Sequence, residues 1–439
     1  MLVLKFLTDM PIKKEQEFFT MRFPLIVFIT LSLLLSSAGA DDYNYPYHDP
    51  YLATATTAIL NDDDPSSPVK SQVVHVPGLP NRNQLPSLEG RGQVSVALYR
   101  QNRSAPLLFL LSGIGSNSYF GVATYLARLF YQAGFHVVIL PSPMNWNFAL
   151  SASRTAAPGF APADARDLYD VMQKTLPVLK SRYNVTITGI NFLGVSLGGL
   201  EGAYLSVLDG EERKLGIEKY LLINPPVNLS YALKKLDEWH ALGAKFGRER
   251  AQGLVAKAIG IVESFSRDSR DDPRVYNEVA KKFAAFTTAE IQFLIAEEVQ
   301  SLLPELVYVT RVINDPDVRR TAKDHMRQYL ESAKDLTFLD YNERLAVSLW
   351  RIQFADPEAD LDTFIERGSL TRILDQLRSN SKVVVMHNAD DVFTDRQSIA
   401  ELKAALGDQL ILYPYGGHLG NLWYPENKQR IIGVFKTAR

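Results

Sequence analysis

One stretch constrains this chain more than any other. An apolar, strand-like run from Val185 to Leu193 enters Gly194-Val195-Ser196-Leu197-Gly198, and a helix-like run from Leu200 to Leu208 leaves it. A glycine on each side of the serine removes side chains where strand and helix backbones approach closely, so the turn can hold Ser196 in a strained conformation with its hydroxyl exposed. A helix that starts just after the serine aims backbone N–H groups and a positive dipole end at the same point. The pattern G-x-S-x-G occurs by chance in many chains. It acquires chemical meaning only in this strand, turn, helix context and only with partners elsewhere.

The flanking sequence supplies a sheet for that turn to sit on. From Gln93 onward, strand-like and helix-like runs alternate, which is the signature of a mostly parallel sheet with helices on both faces. Pro106 to Leu111 is a continuous apolar run of the kind a doubly buried strand shows. Tyr119 to Ala133 reads as a helix, His136 to Leu140 as a strand, Pro162 to Lys180 as a helix, and Lys219 to Asn224 as a strand stopped by Pro225-Pro226. Ahead of them, Gln72 to Val76 and Gln93 to Tyr99 read as antiparallel opening strands. The alternation then breaks. Between about 229 and 367 helical stretches follow one another, including one over Ala289 to Val307. The sheet pattern returns with Lys382 to Met386, the helix Arg396 to Leu406, the strand Gln409 to Tyr413 and a last helix after Pro425. A helical block inserted between two strands of one sheet is expected to be a cap over the carboxyl ends of the strands. A separate helical interaction domain is the alternative. The division expected is therefore a core over 72–228 and 368–439, with the cap over 229–367.

The amino-terminal region reads differently. Arg22 supplies a small positive region, Phe23 to Leu35 an apolar one, and Ser36-Ser37-Ala38-Gly39-Ala40 a small-residue cleavage site, so 1–40 is expected to be a signal peptide region with translation starting at Met21 and cleavage after Ala40. Export to the periplasm or secretion follows as an expectation. The apolar run is short of the roughly 20 residues needed to span a bilayer. Residues 41–71, rich in Tyr, Pro, Asp and Ser, are expected to form an arm or linker.

Composition excludes several classes of chemistry. There is no cysteine among the 439 residues, hence no disulfide, thiol nucleophile or cysteine metal site. The formal net charge of −2 gives no electrostatic case for nucleic acid. No histidine spacing suggests a metal site, and neither metal nor cofactor is expected.

A serine hydroxyl is a weak nucleophile and needs a base within hydrogen-bond reach and an acid that orients the base. Of seven histidines, His418 stands apart, in Tyr415-Gly416-Gly417-His418-Leu419-Gly420-Asn421 just beyond the last strand. The acid is expected from His387-Asn388-Ala389-Asp390-Asp391-Val392-Phe393-Thr394. Asp391 rather than Asp390 is expected: Asn388 can adopt a left-handed turn conformation, and the family resemblance given below implies an acid a few residues after such a turn. The chain order Ser196, Asp391, His418 is that of one hydrolase architecture and differs from the orders of chymotrypsin-like and subtilisin-like enzymes. For the oxyanion hole the backbone N–H groups of Leu197 and Ile114 are assigned, the latter from the glycine-containing loop Ser112 to Tyr119.

With those residues in view, the chain resembles the α/β-hydrolase superfamily of esterase and lipase type. Gly113-Ile-Gly-Ser-Asn-Ser-Tyr119, the Ser196 turn, Asn388-Ala-Asp-Asp-Val-Phe393 and Gly416-Gly-His-Leu-Gly420 are reminiscent of its YheT-like carboxylesterase branch, over roughly Gln72 to the carboxyl terminus outside the cap. Ser112 stands where many members of that family have histidine. The resemblance implies hydrolysis of a small-molecule or lipid-like acyl ester through an acyl-enzyme, with Ser196, Asp391 and His418 as the triad. Two further readings use the same sequence: an exported binding protein on an inactive scaffold, and an acyltransferase working through the same triad.

Overall fold

The computed structural model describes residues 43–60, 69–114, 121–265, 273–354 and 359–436. The expected signal region, 1–40, lies outside the described residues. Eight strands form one sheet: β1 (Gln72–Val76), β2 (Val94–Tyr99), β3 (Ala105–Leu111), β4 (His136–Leu140), β5 (Ile187–Val195), β6 (Lys219–Ile223), β7 (Val383–Asn388) and β8 (Leu410–Tyr413). Their spatial order is β1-β2-β4-β3-β5-β6-β7-β8. β1 and β2 pair antiparallel, β2 is antiparallel to β4, and every pairing from β4 to β8 is parallel.

The sequence patterns follow from where each strand sits. β4 is buried at all five positions and, after His136, reads as an unbroken apolar run, whereas β1, at the sheet edge, alternates. Alternation of side chains divides the core into two layers. Leu107, Phe109 and Leu111 of β3 face one side with Phe192 and Leu222, and Leu108 and Leu110 face the other with Leu193 and Leu221. These residues have no solvent exposure, and each such burial contributes about 1.5–3 kcal/mol. The first layer is closed by helices α3 (Trp146–Ser151), α4 (Ala161–Tyr183) and α5 (Leu197–Glu212). The second is closed by α2 (Val122–Gln132) and the last helix (Pro425–Phe435).

Parallel register sets the location of the site. Leu111 is opposite Gly194, Val195 opposite Ile223, Ile223 opposite Met386, and Asn388 opposite Tyr413. The loops leaving β3, β5, β6, β7 and β8 therefore emerge from one rim of the sheet.

The block between β6 and β7 is helical: α6 (Leu229–His240), α7 (Leu242–Phe246), α8 (Arg248–Phe265), α9 (Pro273–Phe283), α10 (Thr288–Gln300), α11 (Leu303–Asn314), α12 (Pro316–Ser332), α13 (Phe338–Tyr341), α14 (Val347–Phe354), α15 (Leu361–Gly368) and α16 (Leu374–Ser379). The single helix expected over Ala289 to Val307 is two. Pro304 lies in the first turn of α11, where its missing N–H costs nothing, and it cannot continue α10. The block straddles the sheet rim. Leu254, Tyr276 and Phe293 join the layer containing α2, and Leu306, Phe338 and Tyr341 join the layer containing α4. Toward the carboxyl terminus, α17 (Arg396–Leu406) precedes β8 and the last helix is α18 (Pro425–Phe435).

The segment expected as an arm or linker differs from that description over 43–60. Tyr45, Ala53 and Leu60 are almost wholly buried, and a short helix, α1 (Pro50–Ala55), packs against α9 and α10 of the cap. Its tyrosines carry large apolar area, so the composition that looked solvated is an aromatic contact surface.

Candidate active site

Ser196 occupies the one-residue turn between β5 and α5 with φ 54° and ψ −126°. A non-glycine residue at such a φ costs on the order of 1–3 kcal/mol and persists because its surroundings leave it no alternative. Those surroundings are visible at the glycines. A Cβ on Gly194 would lie 2.1 Å from the Gly198 oxygen, and one on Gly198 would lie 2.5 Å from the Leu111 oxygen. The Ser196 N–H donates to the Ile223 oxygen at 2.8 Å, so the turn stays attached to β6.

His418 comes from the loop after β8. Its Nδ1 lies 3.1 Å and 2.9 Å from the two Asp391 oxygens, and its Nε2 lies 2.8 Å from Ser196 Oγ. A carboxylate only accepts, so Nδ1 carries the proton and Nε2 is left to accept from the serine. The ring is 8% exposed and Asp391 4%, while Ser196 is half-buried. The order-giving acid is itself held. Asn224 Nδ2 donates to Asp391 Oδ2 at 2.7 Å and the Phe393 N–H donates to Oδ1 at 2.9 Å. Burial alone would raise the Asp391 carboxyl, but the His418 and His387 imidazoles and the Phe393 amide outweigh it and hold it below the usual carboxylate range.

Asp390 faces elsewhere. It accepts from the Gly416 and Gly417 N–H groups at 3.2 and 2.9 Å, and burial, only partly offset by those amides, pushes its carboxyl up to about 6. Asn388 does not adopt the left-handed conformation expected of it; the positive-φ asparagine at this rim is Asn224, at φ 46°. Asn388 instead works through its side chain, donating to the Gly417 oxygen at 2.8 Å and exchanging amide hydrogen bonds with Asn421.

The assigned oxyanion donors lie on the two elements that meet at the serine. Leu197 is the first residue of α5, where N–H groups have no partner within the helix. Ile114 follows Gly113, whose backbone passes so near that a Cβ there would sit 2.7 Å from Ser196 Cβ and 3.0 Å from Oγ. The rest of that loop, 115–120, is outside the described residues. Above the histidine, the Phe393 ring meets the His418 ring edge-on at 4.9 Å, Trp239 of α6 lies 5.3 Å from Phe393, and Tyr51 of α1 lies 5.7 Å from Trp239. Among the described residues no group of three His, Asp or Glu side chains is placed to hold a metal ion.

Ser196, Asp391, His418, Leu197 and Ile114 are thus brought to one rim. Sequence reasoning missed Asn224, the Asn388–Asn421 amide pair, and the approach of residues 43–60 to the histidine loop. Only Asn224 carried a signal, as the polar residue ending an apolar strand before Pro225-Pro226.

No family model matches the chain, and no curated protein matches it. Solved structures that resemble it include a hydrolase from Pseudomonas aeruginosa PA01, 17% identical, covering 79% of this chain and 96% of that one with a TM-score of 0.37. Carboxyl esterase 2 from the mycorrhizal fungus Tuber melanosporum is 15% identical, with 84% and 85% covered and a TM-score of 0.40. Brefeldin A esterase, a bacterial homologue of human hormone sensitive lipase, is 13% identical, with 91% and 87% covered and a TM-score of 0.42. The reading of the site rests on its own geometry.

Proposed function

For a chain whose fold is that of the α/β-hydrolases, with its serine on the turn after β5, we propose a serine hydrolase that cleaves a carboxylic ester through an acyl-enzyme. The observation that carries this reading is the 2.8 Å contact of Ser196 Oγ with a His418 Nε2 whose Nδ1–H is already committed to Asp391. Ser196 Oγ attacks the ester carbonyl carbon as His418 Nε2 takes its proton. The oxyanion that forms is met by the Leu197 and Ile114 N–H groups. The carbon–oxygen bond to the alcohol then breaks, and the alcohol leaves with the proton from His418. Water repeats the sequence on the acyl-enzyme, the proton again passing through His418, and returns the free serine and a carboxylic acid. Asp391 keeps the imidazole in the productive tautomer and stabilises the imidazolium without itself being protonated.

A fluorophosphonate probe followed by peptide mass mapping tests the proposal. Stoichiometric labelling at Ser196, with turnover of aryl esters that falls by roughly 10³-fold or more in Ser196→Ala, is the expected result. Labelling absent, or unchanged in Ser196→Ala, overturns it.

A further inference from the structure

The histidine loop holds its shape only in part by itself, through the Gly420 N–H that donates to the Gly416 oxygen at 3.0 Å. Gly417 and Leu419, on either side of His418, both have positive φ, 55° and 65°. A leucine in that region is strained, and such a conformation survives only where neighbours fix it. Asp390 and Asn388 hold Gly416 and Gly417, and the further neighbours that fix it come from the far side of the chain. Thr54 Oγ1, in α1, accepts from the His418 backbone N–H at 2.9 Å and donates to the Pro50 oxygen at 2.6 Å, so the hydroxyl is oriented before the histidine meets it. α1 is itself set by Asp49, whose side chain caps it at the Leu52 N–H, and by Pro50 in its first turn. The fit is tight. A Cβ on Gly417 would fall 2.2 Å from the Pro50 oxygen, and one on Gly420 would fall 2.1 Å from the Ala53 oxygen. Beyond the helix, the Tyr45 hydroxyl donates to the Gly420 oxygen at 3.0 Å.

From these contacts we infer that Thr54 is a positioning residue of the reaction: its hydroxyl fixes the backbone of His418 so that Nε2 stands at hydrogen-bond distance from Ser196 Oγ. This inference rests on the Ser196–His418 reading above. A shift of the His418 backbone carries the ring with it, and that ring must bridge two partners. Asp391 orients the ring from behind and Thr54 anchors it at its root. A buried N–H with no acceptor is costly, so removal of the hydroxyl drives the loop to shift rather than remain in place.

Thr54→Val removes the acceptor while keeping shape, and Thr54→Ser keeps the acceptor. With Thr54→Val, kcat and the rate of phosphonylation of Ser196 by the fluorophosphonate are expected to fall together by roughly 10–100-fold, with KM within about twofold, and Thr54→Ser to stay within about threefold of wild type. The downfield proton resonance of a His–Asp pair, present in wild type and Thr54→Ser, is expected to shift or broaden in Thr54→Val. Equal rates in wild type and Thr54→Val, or equal losses in both variants, overturn the inference. If Thr54→Val does not fold, Thr54→Ala, which removes the same acceptor from the His418 N–H, repeats the test, and an unchanged kcat overturns it. If wild type is not labelled at all, the hydrolase reading fails. The positioning role is then decided by the proton resonance, overturned if Thr54→Val leaves it unmoved.

Discussion

Asp390 and Asp391 are neighbours in sequence that titrate in opposite directions: burial raises Asp390 more than its two glycine amides lower it, whereas the imidazoles facing Asp391 outweigh its burial. The signs lead to different pH behaviour. Asp391, depressed in the fold, contributes stability above its unfolded value that is lost as pH falls through its native one. Asp390, raised to about 6, favours the fold below its unfolded value and loses that contribution as pH rises toward 6. Asp391→Asn is expected to lower kcat by roughly 10³–10⁴-fold, and Asp390→Asn by less than about tenfold. In calorimetry, the Tm of Asp390→Asn relative to wild type should increase from about pH 4 to about pH 6 and then level off. The reverse pattern of activities would transfer the orienting role to Asp390. The sequence narrowed the acid to this pair, but the reason it offered was mistaken: Asn388 is not left-handed. What separates the two is which one meets His418 Nδ1, with Asn224 from a different strand end holding the same carboxylate, and no local pattern reveals that convergence.

At the scale of elements, strands and long helices were legible where burial imposes a period. β4 and α17 fall where their apolar patterns place them, and the serine turn follows from glycines whose missing side chains the backbone contacts require. α3 was not anticipated; six residues are too few to display a helical period. The cap was legible as helix but not as packing, since apolar faces at helical spacing do not say which neighbour they meet. Trp239 now gives that face a position, because α6 carries it to Phe393 and through it to His418. We propose that this part of the cap lines the acyl side of the site. Trp239→Ala is then expected to change the ratio of kcat/KM between short-chain and long-chain aryl esters by about tenfold or more while Ser196 remains labelled. An unchanged ratio would remove α6 from substrate choice.

For the whole molecule, the apolar run and small-residue site between Met21 and Ala40 carry a proposal of export. Amino-terminal sequencing of the protein from its native host is expected to begin at Asp41, and recovery of residues ahead of Met21 would exclude the proposal. Such processing would leave Tyr43 and Tyr45, which contact the histidine loop, next to the new terminus. The bond from His418 to Thr54 spans 364 residues. A nascent chain therefore carries the anchor long before it carries the histidine, and the serine turn is complete while its base has yet to be translated. The proposed ester chemistry is therefore unavailable until nearly the whole polypeptide, His418 included, has been made. Its first turnover, on this proposal, waits for residues near the start of the chain to meet residues near its end.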